Sequence, residues 1–100
     1  MKLLRNEDIE SALLAAPSGH RHLRLAIRTK DGETIVLQEA TVAAIVRAYT
    51  AIKTHPTKQA IKMISKKPEG LKKGYAADQL IEVEVDDGEV IRELTELLGK

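Results

Sequence analysis

One hundred residues, of which 43% are hydrophobic and 31% charged, specify one small globular domain and exclude general disorder. Cysteine is absent, which excludes disulfides, thiolate metal sites and thiol nucleophiles. No apolar run approaches the roughly 20 residues that span a bilayer. Asn6, Glu7, Asp8 and Glu10 also interrupt any signal-like apolar stretch near the N-terminus, so a cytoplasmic chain without a membrane partner is expected.

The apolar set is almost wholly aliphatic. Phe and Trp are missing, and Tyr49 and Tyr75 are the aromatic residues. The net charge of +1 conceals a segregation: residues 53–73 carry +6 and residues 78–98 carry −7.

In chain order, Asn6 offers a helix cap, followed by Glu7 and Asp8 in a first turn. Ile9, Ala12, Leu13 and Ala16 then recur at helical spacing until Pro17-Ser18-Gly19. From His22 the period becomes two, with Leu23, Leu25 and Ile27 alternating with His22, Arg24 and Arg28. Asp31-Gly32 joins this run to Thr-Ile-Val-Leu-Gln, which predicts a hairpin over 22–38 with a type I′ turn.

Residues 39–54 predict a helix. Val42, Ile45, Val46, Tyr49 and Ile52 form one side, and Ala44, Ala48 and Ala51 widen the apolar arc beyond half the circumference. Such an arc is covered on two sides or lies in a subunit interface, and the three alanines are the candidate self-association residues. A second helix is expected after Pro56, with Lys58, Lys62 and Lys66 at i, i+4 and i+8. A basic Gly- and Pro-punctuated connection follows over 66–75, and a short helical turn over 75–79. Residues 80–86 return to period two, and a last helix opens near Asp86, where Glu89 three residues on suggests a carboxylate capping box.

The expected fold is α+β, a two-layer sandwich with a small, mostly antiparallel three-stranded sheet, helices on one face, and the order α-β-β-α-α-β-α. The strands at 22–28 and 80–86, if neighbours, pair Arg24 and Arg28 with Glu82 and Glu84. If they are not, the Arg/His face is free for an anionic ligand.

Three constellations bear on chemistry. His20 and His22 form an H-x-H pair that could share a metal, yet two ligands of the usual four make the weakest case. No nucleophile elbow or phosphate-loop spacing occurs, so no catalytic residue, enzyme activity or cofactor is implied. Lys58, Lys62, Lys66, Lys67, Lys72 and Lys73 could neutralise phosphates of a nucleic acid without reading its sequence. Against that alternative, the opposed charge blocks and the broad apolar helix favour a non-enzymatic interaction or regulatory module. Its partner is a second copy, as a homo-oligomer, or another protein.

Overall fold

A computed structural model describes residues 2–67, 69–70 and 78–99. The chain is α+β and divides into two units, residues 1–43 and 44–100. The expected basic connection over 66–75 and the short turn over 75–79 lie largely outside the described residues, as do Lys72, Lys73 and Tyr75.

The first unit contains a three-stranded antiparallel sheet in the order β1-β2-β3, with β1 Ile9–Ala15, β2 Arg24–Thr29 and β3 Thr34–Gln38. The expected N-terminal helix is therefore corrected to a single 3₁₀ turn, Asn6–Asp8, followed by a strand. Local bonding explains the stop. The Asp8 carboxylate accepts the Arg5 N–H at 3.0 Å while the Asp8 N–H donates to the Arg5 carbonyl at 2.9 Å, closing one tight turn. The Asp8 carbonyl then accepts the Lys30 N–H at 3.0 Å, which lays the next residues along β2. Alanine and leucine are strong helix formers, but propensity is small beside tertiary pairing, and ladder pairing of Ser-Ala-Leu-Leu-Ala with β2 overrides it.

The register writes the faces of this sheet. Ala12–Ile27–Ile35 and Leu14–Leu25–Leu37 form two apolar rows on one face. The opposite face carries Leu13–Ala26–Val36 between rows that contain Arg24 and Arg28. A register shift between Ile9 and Ser11 marks a bulge near the start of β1.

The hairpin over β2 and β3 forms as expected, but its turn differs. The Gly32 N–H donates to the Thr29 carbonyl at 3.1 Å, and the Thr29 N–H donates to the Glu33 carbonyl at 2.9 Å. Among the described residues only glycines have positive φ, Gly32 at 95°, so this is a three-residue loop with Gly32 at the bulge rather than a type I′ turn. Pro17–His20 is likewise a tight turn, closed by a 2.9 Å bond from the His20 N–H to the Pro17 carbonyl, with Gly19 at φ 81°.

Helix α1, Glu39–Thr54, has the predicted bounds and begins in the first unit. The second unit contains its later turns, a two-stranded antiparallel sheet of β4 (Lys62–Lys66) and β5 (Gln79–Val83), and helix α2, Asp87–Leu98. The predicted lysine-bearing helix is thus corrected to an extended segment and a strand. Ile64 sits directly opposite Ile81, and Lys62 opposite Val83, so pairing with the β-branched run of β5 decides the conformation. It follows that β5 does not join β1–β3, and the expected Arg–Glu cross-strand pairs between 22–28 and 80–86 do not form.

Helix α2 has the expected start and ends at Gly99, but no capping box forms. The Asp86 side chain makes no cap hydrogen bond, and the Asp87 carboxylate instead accepts the Gln59 N–H at 2.9 Å. Among the described residues the buried apolar side chains are Ala44 and Ala60, both small. No helix of the described residues is long and apolar enough to cross a membrane.

Candidate functional site

The lysines expected to form one stripe are separated. Lys58 precedes β4 and bonds the Glu82 carboxylate of β5 at 2.5 Å, a contact that raises the Lys58 pKa. Lys62, on β4, pairs with Glu93 of α2 at 3.0 Å. Lys66 and Lys67 are exposed, and no ion pair to either is found among the described residues. Lys62 and Lys66 do share a strand face, with Ile64 between them. The basic block thus spends two of its cations on the acidic block of the same unit, as the opposed net charges of 53–73 and 78–98 suggest.

His20 and His22 do not share a strand face, because β2 begins only at Arg24. Nδ1 of His22 lies 3.1 Å from Glu39 Oε2, and the other oxygen of Glu39 accepts the Leu23 N–H at 3.3 Å. The histidine side chain therefore helps to fasten the loop before β2 to the first turn of α1. Among the described residues no group of three or more His, Asp or Glu is placed to hold a metal ion.

The three alanines of α1 lie on one side of the helix, Ala44 buried and Ala48 and Ala51 half-buried. Ala44 is 4% exposed, and Ala44, Ala48 and Ala51 line a groove together with Ile61, Met63 and Leu80 of the β4–β5 side. What α1 leaves uncovered is the neighbouring stripe of Ile45, Val46 and Tyr49. Helix α2 divides in a similar way. Val90, Leu94 and Leu97 line a groove with Ile61 and Met63, yet Ile91, Leu94, Leu97 and Leu98 all remain exposed.

Two features of the first unit escape a reading by periodicity. One is a polar knot at the β2–β3 turn. Thr29, only 2% exposed, donates its hydroxyl proton to the Asp31 carboxylate and accepts the Glu33 N–H at 3.0 Å. The Lys2 ammonium bonds Asp31 at 2.6 Å and Glu33 at 2.8 Å. Its hydrogen bond, and then that of Thr29, hold the Asp31 carboxyl down at about 2. The same contacts raise the Lys2 pKa. The second feature is β1, an edge strand whose Leu13 and Leu14 point to opposite faces while each stays more than half exposed. The signal for it in the sequence is a stretch without any charged residue, Ser11 to Gly19.

Comparison with protein-family models, with curated proteins and with solved structures returned no match for this chain.

Proposed function

We propose that the chain is a small non-enzymatic interaction module that works by associating with itself. One observation carries this: among the described residues little apolar surface is buried while many large apolar side chains stay exposed. Leu13, Leu14, Val36, Ile45, Val46, Tyr49, Leu94, Leu97 and Leu98 are among the large apolar residues that remain 39–64% exposed. Among the described residues the buried apolar ones are two alanines.

The magnitudes support a partner. Full burial of a large aliphatic side chain contributes about 1.5–3 kcal/mol, so a half-exposed one has about 1 kcal/mol outstanding. Covering even half of the fourteen exposed large apolar residues described in each of two copies gains on the order of 14 kcal/mol. That is comparable with the roughly 4–15 kcal/mol that association costs in lost freedom. Large apolar exposure beyond scattered single residues marks an interaction surface.

A second copy suits the surface better than nucleic acid does. Phosphate binding needs uncommitted cations, and Lys58 and Lys62 already face carboxylates. Sedimentation or light scattering over a concentration series tests the proposal. A mass that rises toward twice the 11.0 kDa of one chain supports it, and a constant mass of one chain ends it.

A further inference from the structure

We propose that β1 is the seam of that association: two copies join edge to edge through Ser11–Ala15, antiparallel, to make one continuous six-stranded sheet. This rests on the self-association proposed above and assigns it to one strand.

An edge strand leaves every second N–H and C=O without a ladder partner, and an apolar edge is a template for another strand. Proteins guard such edges with charge, proline, bulges or shortness. Of the other strands that end a sheet among the described residues, β4 and β5 carry charge within them, and β3, itself uncharged, has a carboxylate at either end. Glu33 and Glu39 bracket β3, Lys62 and Lys66 lie in β4, and Glu82 lies in β5. β1 has no charge from Ser11 onward, and its bulge disturbs only the stretch between Ile9 and Ser11. From Ser11 to Ala15 it is regular, paired with β2 on one side and with no backbone partner on the other among the described residues.

Symmetry fixes the register. Two identical antiparallel strands related by a two-fold axis normal to their sheet must cross it level with a residue, so that matching faces stay on one side. The regular segment Ser11–Ala15 is centred on Leu13. With the axis there, Leu13 meets its own copy and Leu14 meets Ala12. Glu10 falls opposite Ala16 of the second copy, so no like charges face each other. The row Leu13–Ala26–Val36 then runs unbroken from one copy into the next. Leu13 and Leu14, 54% and 57% exposed in the single copy, are the residues this seam covers.

The occupant is a second copy because the edge is complementary to itself. It is neutral, small residues flank its two leucines, and it gives an acidic or basic peptide nothing to recognise.

The chain has no cysteine, so an introduced one reports only contacts between copies. Leu13→Cys should form an intermolecular disulfide under mild oxidation roughly tenfold faster than Val36→Cys on the guarded edge. Directly opposed strand residues have nearly the Cβ separation a disulfide needs. Leu13→Lys, which sets like charges face to face, should raise the dissociation constant on the order of 100-fold. If the unaltered chain is dimeric and Leu13→Cys cross-links no faster than Val36→Cys, the seam is wrong while self-association stands. If the unaltered chain stays monomeric at every concentration, both fall. Should Leu13→Lys fail to fold, the two cysteine variants still decide.

Discussion

Thr29 is the most deeply buried side chain of the first unit, and replacing it by valine removes a hydroxyl while keeping the shape. At 2% exposure its oxygen is cut off from water, and it accepts the Glu33 N–H at 3.0 Å. Valine leaves no cavity of consequence, and the Glu33 N–H keeps only its longer 3.4 Å bond to the Asp31 carboxylate, so the cost is that of the lost hydroxyl bond, about 1–2 kcal/mol. The bond from Thr29 to the exposed Asp31 carboxylate is left out of that figure. For a domain of this length such a loss lowers the melting temperature by roughly 5–15 °C. Two assays separate this from general loosening. Calorimetry or circular dichroism reads the melting temperature, and a carbon-detected titration of Asp31 reads the knot itself. Because the Thr29 hydroxyl is the second of the contacts holding the Asp31 carboxyl at about 2, its removal should raise that pKa part of the way toward 3.8. A Thr29→Val chain that melts within 2 °C of the unaltered one, with Asp31 titrating as before, would refute the account of the turn. The consequence for function is indirect but definite: the turn holds β2 to β3, and β2 is the strand that holds β1.

The remaining expectations concern charge. The Asp31 carboxyl has a depressed pKa in the fold, so its contribution is full above about 4 and is lost as pH falls toward 2. Melting temperatures across that window should therefore fall less steeply in Lys2→Met, which lacks the main cause of the shift, and equal slopes in the two chains would contradict the ion pairs drawn at Lys2. For polyanions, Lys66 and Lys67 together with Lys72 and Lys73 give a log–log salt slope for duplex DNA no steeper than about −4, against about −5 for all six lysines. A filter-binding series in increasing salt reads the slope, and a value of −5 or steeper would mean that Lys58 and Lys62 leave Glu82 and Glu93 to bind phosphate.

Much of this fold was legible wherever a local pattern and its tertiary partner agreed. Helix α1 appears at its predicted bounds because its apolar positions repeat every 3.6 residues over four turns. The hairpin of β2 and β3 appears because β-branched runs flank Asp-Gly, although the number of loop residues, and hence the turn type, was not written in that dipeptide. Two segments read as helix are strands for one shared reason. Lys58, Lys62 and Lys66, four apart, fit a period of two as well as a helix face. Ile9, Ala12, Leu13 and Ala16, by contrast, fit a helix alone and are split between both faces of the strand. Pairing partners distant in sequence, β2 for the first and β5 for the second, then decide.

The candidate sites follow the same division. The alanines of α1 were legible as a flank for close approach, but not that they would line a groove with Ile61, Met63 and Leu80 of the same unit. The lysines were legible as a positive block, but their partners Glu82 and Glu93 lie 24 and 31 positions away. The free edge of β1 could not be recognised while Ile9–Ala15 read as a helix, since an edge exists only once a sheet does.

Sedimentation equilibrium of the unaltered chain from low to high concentration tests the self-association most directly. It should yield a mass that climbs from 11.0 kDa toward twice that value and stops there, as closure by a two-fold axis requires. A mass that stays at 11.0 kDa throughout would contradict it.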